Sequence, residues 1–78
     1  MDMRHYKEWV KIGLNILYYR KERHLTQQQL ADECGEEGIS RAFIQRIETG
    51  VSSCSLDTLM DIAKALDVPL YKLFEFKE

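Results

Sequence analysis

The feature that most constrains this chain is its punctuation. Thr26, Ser40 and Ser55 each precede apolar residues recurring at three- and four-residue spacing, and Gly35, Gly50 and the Val68–Pro69 pair close the runs. A side-chain hydroxyl at such a start accepts from the free amide groups of a helix's first turn, while glycine and proline end helices readily. Gln29, three residues after Thr26, supplies the second half of a capping box. The pattern predicts short amphipathic helices packed into one all-helical domain spanning 1–78.

The first helix is expected over Arg4 to Arg23, because Tyr6, Trp9, Val10, Ile12, Gly13, Ile16, Leu17 and Tyr19 share about half its circumference. Arg20 falls near the middle of that apolar arc. A buried guanidinium there needs a carboxylate, since its desolvation costs roughly several kcal/mol. Leu30, Ala31 and Cys34 form the inner side of a second helix, and Ser40 opens a third that runs to about Glu48. Ile44 and Ile47 face inward on the third helix; Ala42, Gln45, Arg46 and Thr49 project outward. Glu48 leans inward, four residues after Ile44, which makes it the natural partner of Arg20. Leu56, Leu59, Met60, Ile62, Ala63 and Leu66 define a fourth helix, and Leu70, Tyr71, Leu73 and Phe74 suggest a short fifth.

Composition supports one core. The 78 residues are 45% hydrophobic and 31% charged, enough to fill and solvate a single small domain but too few for two. The net charge of −2 argues against coating of nucleic acid or anionic membrane by bulk charge. It is unevenly distributed: residues 1–24 carry +3, residues 25–50 carry −3 and residues 51–78 carry −2. No apolar run approaches the roughly 18–20 residues of a membrane span, and the charged start lacks the apolar stretch of a signal peptide, so a cytoplasmic protein is expected. Cys34 and Cys54 lack the spacing of a zinc module or disulfide framework, and packing or loop roles are expected for both. His5 and His24 have no cysteine or acidic cluster around them; His24 stands where positive φ is useful. Neither a metal site nor a cofactor is expected, and no nucleophile–base pair or phosphate-cradling glycine loop points to an enzyme.

The stretches LTQQQLADECG, ISRAFIQRIETG and SLDTLMDIAKALDVPLYKLF, in that order, resemble the Cro and phage-repressor type of helix-turn-helix family, the XRE-like proteins. The resemblance covers roughly residues 12–75. It implies a compact five-helix, lambda-repressor-like domain with the motif at about 26–49, and it implies that Arg20 and Glu48 form a structural ion pair. The family inserts its second motif helix into the major groove of double-stranded DNA, here Arg41 to Glu48. Arg41, Ala42, Gln45 and Arg46 would then contact bases; Gln27, Thr49, Ser52 and Ser53 would contact phosphates. The implied protein is a repressor-like transcriptional regulator acting as a homodimer, with Leu70, Tyr71, Leu73, Phe74 and Phe76 as the candidate dimer surface and no small-molecule effector. The alternative is an interaction or antitoxin-like module of the same fold with weak or no DNA binding.

Three departures from the family pattern stand out. Glu36, Glu37 and Gly38 lengthen the turn between the motif helices, which can shift the recognition helix and brings carboxylates towards phosphates. The loop after Gly50 reads Val-Ser-Ser-Cys and lacks cations. Phe43 lies partway round the recognition helix, either in the core or where a polar residue would usually help reading.

Overall fold

A computed structural model describes residues 4–35 and 38–76, so the expectation for Glu36 and Glu37 lies outside the described residues. The chain forms α1 (Tyr6–Glu22), α2 (Gln27–Glu33), α3 (Arg41–Glu48) and α4 (Leu56–Leu66), followed by a 3-10 helix, Leu70–Phe74. The all-helical expectation holds. The first helix is slightly shorter at both ends than its periodicity predicts.

The caps form where the hydroxyls stand. Gln29 N–H donates to Thr26 Oγ1 at 3.0 Å while Thr26 N–H donates to Gln29 Oε1 at 2.8 Å, which completes the capping box. Ser40 accepts from the Phe43 amide and Ser55 from the Thr58 amide, each at 3.1 Å. Caps of this kind are worth about 1 kcal/mol each. At the other end of α1, His24 adopts φ +58°, the left-handed turn that brings the chain round to α2.

Ile16, Leu30, Ile44, Ile47, Ile62, Leu66 and Leu73 are fully buried and draw on every element. Arg20 and Glu48 are the buried charged residues among those described, as the apolar arc of α1 required. Gly13 sets how closely the helices approach. A Cβ there would overlap the Ile47 carbonyl oxygen and sit 2.7 Å from that of Glu48, so only glycine lets α1 lie flush against the end of α3. Tyr6, Leu56 and Met60, counted on apolar helix faces by periodicity, are exposed. Tyr6 and Leu56 are the first residues of α1 and α4, and Met60 lies at one side of the apolar arc of α4.

The fifth element corrects the sequence expectation. It is a 3-10 helix, so the fold has four α-helices and one 3-10 turn: Pro69 at its start has no amide proton, and five residues leave little room for an α-helical ladder. Lys72 N–H instead donates to the Pro69 carbonyl at 3.0 Å. With three residues per turn, Leu70 and Leu73 share the inner side and Tyr71 and Phe74 the outer side. Leu73 is therefore a core residue and not part of a dimer surface, and Leu70 and Phe76 are half-buried against the same core. Asn15 fastens this segment to α1 by donating to the carbonyls of Leu73 at 2.9 Å and Glu75 at 3.1 Å.

Candidate nucleic-acid interface

At 100° per residue, Arg41, Ala42, Gln45, Arg46 and Thr49 cover an arc of about 140° on α3. All five are exposed, and Ile44 and Ile47 on the opposite side are fully buried. The arc presents guanidinium groups at both ends, an amide between them and one methyl group. Guanidinium groups match guanine acceptors, an amide can both donate to and accept from adenine, and a methyl group packs on thymine. The arc's chemistry is suited to an edge of stacked bases.

The helix is anchored by the carboxylate of Glu48. Arg20 Nε donates to Glu48 Oε2 at 2.6 Å and Nη2 donates to Oε1 at 3.1 Å, a bidentate pair in a buried setting. Arg20 Nη1 donates to the Leu25 carbonyl at 2.8 Å, tying the α1–α2 connection to the same guanidinium. Among the described residues, no buried side-chain nitrogen or oxygen lacks a hydrogen-bond partner. The pair therefore meets the condition on which a buried ion pair is tolerated.

Gln27 joins this network. Its Nε2 donates to Glu48 Oε1 at 3.0 Å, and its Oε1 accepts from Arg41 Nη1 at 3.5 Å. A line of contacts thus runs from buried Arg20 through Glu48 and Gln27 to the first residue of the exposed arc of α3. Sequence reasoning placed Gln27 at the outside of α2 and missed the link. Helical periodicity assigns a residue to a face of its own helix; it does not say that the start of one helix meets the end of another.

Thr49 donates its hydroxyl to the carbonyls of Gln45 at 3.0 Å and Arg46 at 3.2 Å, so it closes the last turn of α3. Ser52 is half-buried and Ser53 exposed in the loop beyond. Gly50 turns the chain into that loop at φ +78°, and a Cβ there would come within 2.8 Å of Val10 Cα. The loop is thus held beside the first half of α1. Phe43 is half-buried, its ring packed on the core and its outer side under Arg46, whose guanidinium carbon lies 5.8 Å from the ring centroid.

The two thiols take no part in these hydrogen bonds. Burial pushes Cys34 and Cys54 up to about 11, with Asp61 and Glu33 adding to the effect at Cys34. Both are neutral thiols at physiological pH, as packing residues should be. No helix among the described residues is long and apolar enough to cross a membrane.

Comparison with known proteins agrees with this geometry. The Helix-turn-helix family model matches residues 16–73. Among solved structures, the chain is similar to the restriction-modification controller protein C.AhdI from Aeromonas hydrophila, with 31% identity, a TM-score of 0.82, and 90% of this chain and 97% of that one covered. A hypothetical transcription factor, NHTF from Neisseria, shares the fold at 22% identity and a TM-score of 0.81, with 97% of this chain and 82% of that one covered. No curated protein sequence matches the chain.

Proposed function

The chain belongs to the helix-turn-helix family of Cro and phage-repressor type, a family of DNA-binding regulators and not of enzymes, and from that membership we propose a repressor-like, sequence-specific transcriptional regulator. The observation that carries the proposal is the exposed edge of α3. Arg41, Ala42, Gln45 and Arg46 are all free of the core, on a helix whose other side is fixed by Ile44, Ile47 and Glu48. That edge enters the major groove and reads bases. Gln27 at the start of α2, with Thr49, Ser52 and Ser53 after α3, lies along the phosphates on either side. Contacts from the serine loop are neutral hydrogen bonds, so nonspecific affinity is weak and discrimination rests on the short helix.

One recognition helix of eight residues offers limited contact area. The protein therefore acts as a homodimer on a two-fold operator with half-sites about 34 Å apart. Tyr71 and Phe74, the outward side of the 3-10 helix, are the exposed apolar residues of the candidate dimer surface, and Leu70 and Phe76 flank them. The likeness to a controller protein across almost its whole length supports a small regulator of this kind.

Selection from a random duplex pool tests the proposal. It expects enrichment of a shared palindromic site whose affinity falls steeply as salt rises. No enrichment even at low salt would replace it with the interaction-module reading, which the cation-free loop after Gly50 favours.

A further inference from the structure

The reading edge carries two arginines in different settings. Arg41 reaches Gln27 and, through it, the buried ion pair; Arg46 has no such link and lies over an aromatic ring three residues before it on the same helix. We infer that Phe43 is a positioning residue for Arg46, holding its guanidinium over the ring so that the donor fork already faces a base edge before DNA arrives. The inference rests on the proposed regulator function and names a specificity-determining residue within that site.

The ring is suited to this work because it is fixed at both its root and its inner face. Ser40 Oγ accepts from the Phe43 amide at 3.1 Å, which locks the backbone of the helix's first turn, and the inner side of the ring packs on the core. The root of Arg46 is fixed as well: its carbonyl accepts from the Val51 amide at 3.1 Å and from the Thr49 hydroxyl at 3.2 Å. What remains free is the long arginine side chain. At 5.8 Å from the ring centroid, the guanidinium is within the range of cation–π attraction. A guanidinium held by the face of a ring keeps its N–H groups available, whereas a carboxylate partner would occupy them.

The placement also explains why an aromatic residue stands at the boundary between core and reading edge. A carboxylate there could restrict Arg46 but would tie up its donors, and a neutral polar side chain would offer no ring face to hold it. Phe43 instead lowers the conformational entropy that Arg46 loses on binding, and so contributes to discrimination without itself hydrogen-bonding a base.

Two measurements test this. In the free protein, ring current from Phe43 should move the side-chain NMR signals of Arg46 upfield; unshifted signals would overturn the inference without any variant being made. On the selected operator, Phe43→Leu should weaken binding by about two- to five-fold, with the loss concentrated at the base pair that Arg46→Ala relaxes. Phe43→Tyr should restore it. A merely structural role for Phe43 would lower the unfolding midpoint and weaken binding to every sequence alike, with no recovery of discrimination in the tyrosine variant. If the wild-type protein selects an operator and Phe43→Leu discriminates as well as it does, the inference fails while the regulator reading stands. If the wild type selects none, the regulator reading fails, and this inference fails with it.

Discussion

The two ends of α3 are held by different means. Its C-terminal end is pressed on α1 at Gly13, and the Glu48 carboxylate there takes three hydrogen bonds from Arg20 and Gln27. Its N-terminal end is held by the Ser40 cap, after a turn whose last residue, Ile39, donates its amide to the Ala31 carbonyl at 3.0 Å. One end sets the axis of the helix through burial and charge; the other leaves Arg41 and Ala42 in solvent. The proposed reading role needs both, because an edge that is to meet stacked bases has to be exposed and cannot wander. Substitutions at the anchored end should therefore change stability, and substitutions along the exposed edge should change recognition.

The largest effect is expected at the anchor. Glu48→Ala strands a buried guanidinium and should cost about 3–5 kcal/mol in chemical unfolding. An unchanged unfolding midpoint would remove the distinction between the ends. Gly13→Ala drives a methyl group into the backbone of α3 and should cost about 1–3 kcal/mol by the same measurement. Along the edge, Arg46→Ala should lose about 1–3 kcal/mol of discrimination at one operator position, read by binding to single-base operator variants, with stability changed by less than about 0.5 kcal/mol. Ser40→Ala should cost about 1 kcal/mol of stability, well below the cost of Glu48→Ala and at the lower end of that of Gly13→Ala.

The smallest effect comes from the thiols, which belong to neither end. Their folded values are raised to about 11, so between the ordinary thiol range and that value the unfolded chain releases protons that the folded chain keeps. Stability should be flat across neutral pH with respect to these groups and should fall as pH rises through that window. Alkylation of Cys34 should be slow at neutral pH until the chain unfolds.

The same division separates what the sequence displayed from what it hid. An arginine in the middle of an apolar arc had to find a carboxylate, and Glu48 leaned inward to meet it, so the anchor was legible in the spacing of the residues. The three hydroxyl caps were legible because capping is local chemistry. Contacts between helix ends were not: Gln27 gives no sign in sequence that its amide bridges Glu48 and Arg41. The inward placement of Leu73 was hidden for a related reason. The apolar residues of the C-terminal segment were counted together as one surface, but a 3-10 turn sorts them by a period of three and sends Leu73 to the core while Tyr71 and Phe74 remain outside. The outward arc of α3 followed from periodicity, although its role came from resemblance and not from spacing.

The division between anchor and edge is tested most sharply by one double variant, Arg41→Ala with Arg46→Ala, measured for unfolding and for operator binding in the same buffer. The expected result is an unfolding midpoint close to that of the parent chain, with affinity for the selected operator reduced to that for unrelated duplex. Retained preference for the operator in a normally folded double variant would contradict a reading edge built on these two arginines.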